Sequence, residues 1–359
     1  MKLPELKIGD LVAKIPIIQG GMGVGISRSN LAGAVAKEGG IGVISTAQIG
    51  FDELDFETNT LEANLRSLEK HIKKAKEIAC GNGIIAINIM SVTNFYKENV
   101  KKAIEASVDL IISGAGLPKE LPKLVEGTKV KIAPIISSAR GAGLMIKLWA
   151  KQNHIPDMIV VEGPEAGGHL GFSKEELEDN NKKDIFEITK EVVEKVKEFE
   201  EEYKKKIPVI SAGGIYTRED IDKAIENGAA GVQIATRFVA TEECDADIKY
   251  KEAYIKATKD EIEIVQSPVG MPGRAIRNKF INDVEERKEK GLKGTNEKCL
   301  GCIKTCNPNE APYCITRALI NAVKGDVDNA LLFVGSNAYR VNEITTVHNL
   351  INELVGENE

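Results

Sequence analysis

Short runs of β-branched and other apolar residues alternate along the chain with longer stretches in which Lys and Glu interrupt apolar positions at helical spacing. The first kind reads as strands, over residues 15–19, 41–44, 84–89, 110–113, 131–136, 158–162, 207–212 and 231–234. The second reads as amphipathic helices, over 29–37, 61–79, 95–106, 141–151, 187–203 and 218–226. Strands that alternate with helical crossovers predict βα units around a parallel sheet. Eight of them predict an α/β fold of the closed TIM (β/α)8 barrel type, occupying 1–240. The rest divides into a small cysteine-containing helical extension over 241–330 and a C-terminal segment, 331–359, expected to return to the barrel.

An open dinucleotide-binding sheet is the competing architecture, and Gly20-Gly21-Met22-Gly23-Val24-Gly25 invites it. The spacing excludes it, because Ile26 and Arg28 stand where the third glycine of the fingerprint belongs and no acidic residue ends the second strand.

Composition narrows the class. Of 359 residues, 42% are hydrophobic and 28% charged, which suits a globular core and removes disordered, collagen-like and coiled-coil classes. A net charge of −6 with no basic block argues against nucleic acid as a partner. No stretch reaches the roughly 18 apolar residues of a membrane span. Met1-Lys2-Leu3-Pro4-Glu5-Leu6 lacks the apolar region of a leader. A cytoplasmic protein without membrane partner is therefore expected, with a homodimer one open assembly. Cys299, Cys302, Cys306 and Cys314 crowd into one segment, and in a reducing compartment that spacing points to Zn²⁺ or an iron–sulfur cluster, with reduced thiols packing a small post-barrel subdomain as the alternative. Cys80 and Cys244 read as small buried residues.

Candidate chemistry gathers at one end of the expected barrel. Gly20-Gly21-Met22, Ser45-Thr46, Asn88, Ser113-Gly114, Ser137-Ser138, the stretch from Glu162 to His169, Gly213-Gly214 and Ala235-Thr236 all fall at or just past strand C-termini. Barrel enzymes build their sites on that face and often hold a phosphate in the loops after strands seven and eight. Here those loops offer Gly213-Gly214 and Ala235-Thr236, small enough for backbone N–H groups to approach an anion. His169, in a glycine-dense loop after strand six, offers one imidazole for proton transfer. His71, His154 and His348 read as surface or connector residues, and Trp149 as packing. The stretch 173–184 reads as a solvated loop, with a lid as the alternative. In 267–278, prolines and glycines predict a rigid loop, from which Arg274 or Arg277 either contacts an acidic substrate group or pairs with surface carboxylates.

Pro16-Ile17-Ile18-Gln19-Gly20-Gly21-Met22, Asn88, Glu165-Ala166-Gly167-Gly168-His169-Leu170-Gly171, Ala212-Gly213-Gly214-Ile215 and Gly231-Val232-Gln233-Ile234-Ala235-Thr236-Arg237-Phe238 together resemble the nitronate monooxygenase family. These were once called 2-nitropropane dioxygenases, and the flavin-dependent enoyl-ACP reductases are related to them. Phe333-Val334-Gly335-Ser336-Asn337-Ala338 is similar to the late element that the family places near its flavin. The resemblance implies a TIM barrel, FMN and oxidoreductase chemistry. His169 would be the active-site acid or base. Gly21, Met22, Asn88, Ser137, Glu162, Gly168, Gly213, Gly214, Ala235 and Thr236 would be the cofactor-binding residues, with the last four at the phosphate. The substrate would be a nitronate, with O2 as electron acceptor. The alternatives are an enoyl thioester reduced with NAD(P)H, or a flavin-binding protein without catalysis.

Overall fold

A computed structural model describes residues 3–295 and 297–356. Met1 and Lys2 of the leader reading and the last three residues of the segment expected over 331–359 lie outside that range. Eight parallel strands form a closed barrel: β1 (Ile17–Gln19), β2 (Ile41–Ser45), β3 (Ile84–Met90), β4 (Leu110–Gly114), β5 (Lys131–Ile136), β6 (Ile159–Glu162), β7 (Val209–Ala212) and β8 (Gly231–Ile234). Ring order follows chain order, and β8 closes on β1 by pairing Val232 with Ile17 and Ile234 with Gln19. The crossover helices are α1 (Ser29–Lys37), α2 (Thr60–Ala79), α3 (Tyr96–Glu105), the short α4 (Leu121–Leu124), α5 (Ala139–Ala150), α6 (Ile185–Tyr203) and α7 (Arg218–Glu226). Every expected strand and helix is present, with ends displaced by at most two residues.

Strand alternation sorts the apolar residues into two cores. Ile41 and Val43 of β2, Ile84 and Ala86 of β3, and Leu110 and Ile112 of β4 share the interior of the barrel, whereas Ile44, Ile85 and Ile111 face the helices. The interior is stoppered by a hairpin that the periodicity does not announce. Its strands, Leu6–Ile8 and Leu11–Ala13, are only three residues each, and they send Leu6, Ile8 and Ala13 into the same cluster.

The chain beyond the barrel corrects one expectation. Residues 267–278 are not all loop, because Pro272–Ile276 is a strand paired antiparallel with Ile262–Gln266. Proline is tolerated there as the first residue of its strand, where a missing N–H matters least. The other edge of Pro272–Ile276 takes up Gly168–His169, with His169 opposite Gly273. A small sheet thus pins the glycine-rich loop after β6 to the post-barrel chain. The stretch 173–184 is tied down as well, since Lys174–Glu178 is a helix opened by a Ser173/Glu176 capping box and its Leu177 is buried with Ala166 and Leu170.

Four single-residue expectations also resolve. Cys80 is exposed rather than buried, because it ends α2 in the left-handed conformation at φ +51° and so turns away from the core. Cys244 is buried. His71 is no surface residue: it is 8% exposed between α1 and α2, with Nδ1 2.9 Å from Ser29 Oγ. Trp149 is fully buried and donates its indole N–H to the Pro118 carbonyl at 3.1 Å. Among the described residues, no helix is long and apolar enough to cross a membrane.

Candidate active site

The C-terminal ends of the barrel strands open into a cavity of about 250 Å³. Its wall is built from backbone at least as much as from side chains. After β1, the loop Gly20-Gly21-Met22 folds back on itself, with the Met22 N–H donating to Ser27 Oγ at 2.8 Å and the Ser27 N–H to the Met22 carbonyl at 3.0 Å. A Cβ on Gly21 would stand 2.4 Å from the Asn88 Cβ, so only glycine lets this loop lie against the end of β3. After β7, Gly213 and Gly214 both take positive φ, +87° and +98°, and turn the chain at the cavity wall. The late element 333–338 comes down beside them. Asn337 Nδ2 donates to the Gly214 carbonyl at 2.9 Å, and a Cβ on Gly335 would collide with Thr236 Oγ1 at 2.5 Å. The result is a concave wall with few β-carbons, open to backbone N–H groups.

His169 faces this cavity from the edge of the small sheet. Its Nε2 lies 2.7 Å from Ser267 Oγ, and its ring packs edge-on against Phe333 with centroids 5.0 Å apart. Phe333 is held in turn by two tyrosines. Tyr254 donates its hydroxyl to the Phe333 carbonyl at 2.6 Å, and Tyr250 approaches the same oxygen at 3.3 Å. Burial lowers the His169 pKa to about 4, so the imidazole is neutral at pH 7 with one ring nitrogen free of a proton. Glu162, at the end of β6, looks into the same cavity, and loss of solvent there raises its carboxyl to about 7. Two groups of opposite proton habit therefore share one cavity, a mark of functional sites.

Of the residues singled out from sequence, Gly21, Met22, Asn88, Glu162, Gly168, His169, Gly213, Gly214, Ala235 and Thr236 all line the cavity. Ser137 does not. Its Oγ instead fills the place where a Cβ on Gly171 would sit, bracing the loop after His169. Neither arginine of the 267–278 segment lines the cavity. Arg274 is buried and donates to the Ala166 carbonyl, while Arg277 pairs with Glu263 and Glu285 at the surface.

The cysteine expectation finds no support in the structure. Among the described residues, no group of three or more His, Cys, Asp or Glu is gathered to hold a metal ion, so Cys299, Cys302, Cys306 and Cys314 carry no support as Zn²⁺ or iron–sulfur ligands. Their surroundings explain it. Cys299 is exposed, Cys302 and Cys306 pack into an apolar cluster around Ile303 and Tyr313, and Cys314 caps the helix Ile315–Val323. Burial, with the neighbouring thiols adding to it, raises the thiols of Cys302, Cys306 and Cys314 above the ordinary cysteine range.

Ser267, Tyr250 and Tyr254 are the site residues that the sequence did not single out, whereas Phe333 belongs to the late element already set near the flavin. Ser267 lies 98 positions beyond His169, and only the turn residues that follow it hinted at a built structure.

Comparison with known proteins adds a family. Residues 5–357 match the family model described as nitronate monooxygenase. A protein of Staphylococcus saprophyticus named probable nitronate monooxygenase is 26% identical over 306 residues, which are 80% of this chain and 82% of that one. A carboxyl-CoA dehydrogenase of Rhodococcus jostii, named for an octahydroindene substrate, is 25% identical over 270 residues, 75% of this chain and 65% of its own. Among solved structures, FabK from Thermotoga maritima superposes with a TM-score of 0.71 at 25% identity, covering 96% of this chain and 92% of that one. A nitroalkane oxidase from Streptomyces ansochromogenes has the same fold, with a TM-score of 0.71 at 18% identity and coverage of 96% and 95%.

Proposed function

Since the chain belongs to the nitronate monooxygenase family, we propose that it is an FMN-dependent oxidoreductase that converts alkyl nitronates into carbonyl compounds and nitrite. The observation that carries the reading is a desolvated, neutral His169 on the wall of a cavity otherwise built from glycine-rich loops. Those loops suit a flavin phosphate: Gly213, Gly214, Ala235 and Thr236 all line the cavity, where small residues let backbone N–H groups approach an anion and Thr236 adds a hydroxyl. Bound FMN would supply the two-electron acceptor that O2 regenerates.

The protein's own part is to place and deprotonate. If His169 Nε2 carries the proton and donates to Ser267 Oγ at 2.7 Å, Nδ1 is the ring nitrogen with the free lone pair. That nitrogen takes the α-proton of a neutral nitroalkane and turns it into the nitronate. Phe333 and the tyrosines behind it hold the ring in position. A preformed nitronate bypasses this step and needs only the cavity.

A second reading, reduction of an enoyl thioester with NAD(P)H, is favoured by the carboxyl-CoA substrate in the name of the Rhodococcus relative. Product analysis separates the two. Aerobic incubation with a nitronate should release nitrite and the matching aldehyde or ketone in equal amounts while O2 is consumed. Absence of nitrite, with consumption of NAD(P)H on addition of an enoyl thioester, would replace the first reading by the second. Absence of both would leave a flavin-binding protein.

A further inference from the structure

On β6, Val160 points into the barrel interior and Val161 outward to the helices. The same alternation carries Glu162, two residues past Val160, to the inner side of the barrel rim, where it lines the cavity. The strands on either side bring it nothing to pair with. β7 sets Ala212 opposite it in register, and β5 contributes Ile135 to the same wall. Among the described residues no side chain donates a hydrogen bond to its carboxyl or forms an ion pair with it, and loss of solvent is the whole reason that the group stands near 7.

The other titratable groups on the wall are Glu165, His169, Tyr250 and Tyr254, and among the described residues that line it there is no Lys, Arg or Asp. Glu165 has its own cation, Lys182 at 3.9 Å, which stands outside the lining. His169 is neutral at pH 7, and burial raises both tyrosines, so they keep their protons. An anion that enters therefore meets a carboxyl that is partly ionised near pH 7 and no cation on the wall to offset it. Two like charges in a desolvated cavity repel strongly, and a proton on the carboxylate relieves them. Protonation also turns a repelling acceptor into a hydrogen-bond donor.

We propose that Glu162 balances the charge of the cavity, taking one proton from solvent when a small planar oxyanion such as a nitronate binds and returning it when the anion leaves. The proton joins a carboxylate oxygen; no bond of the ligand breaks and no electron moves. Binding and protonation are linked, so each favours the other by the same factor. Anions should bind well below about pH 7 and lose about tenfold in affinity for each pH unit above it, while a neutral ligand is indifferent. The nitronate reading above supplies only the identity of the natural anion.

The experiment is calorimetric titration of the flavin-loaded protein with butyrate, an unreactive carboxylate shaped like the nitronate of 1-nitropropane, and with butyramide, its neutral counterpart. Repeating each titration in buffers of different ionisation enthalpy counts the protons taken up per ligand bound. Butyrate should take up nearly one proton at pH 8 and almost none at pH 5.5, and should bind about 100-fold more weakly at pH 9 than at pH 6. Butyramide should take up none at either pH. In Glu162→Gln the uptake at pH 8 should vanish and the affinity for butyrate should be level from pH 6 to 9. The wild-type proton count stands by itself if that variant does not fold. No uptake by the wild type at pH 8, no binding of butyrate at pH 6, or uptake that persists in Glu162→Gln would overturn the assignment. The functional reading is tested apart from this. If no nitronate reduces the flavin yet butyrate binds with its proton, the nitronate reading fails and Glu162 keeps its role. If nitronates reduce the flavin yet butyrate brings no proton, the role of Glu162 fails and the nitronate reading survives.

Discussion

Among single residues, His169 decides the chemistry through its protonation. Burial holds its pKa near 4, well under the 6.5 of a free imidazole, so the folded protein binds fewer protons than the unfolded chain between those values. The sign follows: stability drawn from this group is complete above about pH 6.5 and is lost as the pH falls through about 4. Turnover of a neutral nitroalkane should therefore stay level from pH 8 to about 5 and decline only near 4, and a pH–rate profile with its acid limb at 6.5 would show a solvated imidazole instead. His169→Ala should cost about 10²–10⁴ in turnover of the neutral nitroalkane while sparing a preformed nitronate, measured side by side in one preparation. Ser267→Ala tests the positioning of the ring. It should lower kcat for the neutral compound, leave the nitronate nearly untouched, and be rescued by Ser267→Thr, since the contact at 2.7 Å needs only a hydroxyl. Glu162 runs the other way. Its carboxyl, raised to about 7, favours the folded flavin-free protein below about pH 4.5 and progressively less as the pH rises through 7. Glu162→Gln should thus raise the Tm of flavin-free protein more at pH 8 than at pH 5, and an equal shift at both would mean that the carboxyl is solvated.

At the scale of elements, the barrel was legible because each strand is a short apolar run closed by small or polar residues, and each helix carries its apolar positions at a period of 3.6. What escaped was everything decided by partners distant in sequence. The hairpin Leu6–Ile8/Leu11–Ala13 has strands too short for any period, and its meaning appears only when Ile8 meets the interior of the barrel. His71 looks like a surface residue among the lysines of α2 until α1 packs over it. Of the four clustered cysteines, Cys302 and Cys306 pack against an apolar cluster while Cys299 is exposed. The hairpin is also the element to test. Ile8 is fully buried at the end of the barrel away from the cavity, so Ile8→Ala should cost about 2–5 kcal/mol of unfolding free energy, read as a lower urea midpoint, with the flavin spectrum unchanged. A bleached or shifted flavin would mean that the stopper is coupled to the site.

At the scale of the whole molecule, a barrel supplies eight strand ends on one face, and the chain that follows it returns over that face to complete the site. Gly20 to Met22, Asn88, Gly213 and Gly214 were readable as site residues because small and polar residues at strand C-termini are conspicuous in sequence. Phe333 was readable only through its place in the late element, and Ser267 and the tyrosines were not, since they arrive from outside the barrel. If the cradle is built for a flavin mononucleotide, FMN should be the chromophore released by heat from the purified protein, identified by mass; FAD, or no flavin, would contradict that assignment. The central claim, that this cavity takes electrons from a nitronate, is tested most directly by anaerobic stopped-flow reduction of the bound flavin with a preformed alkyl nitronate and, separately, with NADH and NADPH. The account predicts that the nitronate bleaches the flavin rapidly and saturably while both nicotinamides act far more slowly. Rapid bleaching by NADH or NADPH with none by the nitronate would contradict it.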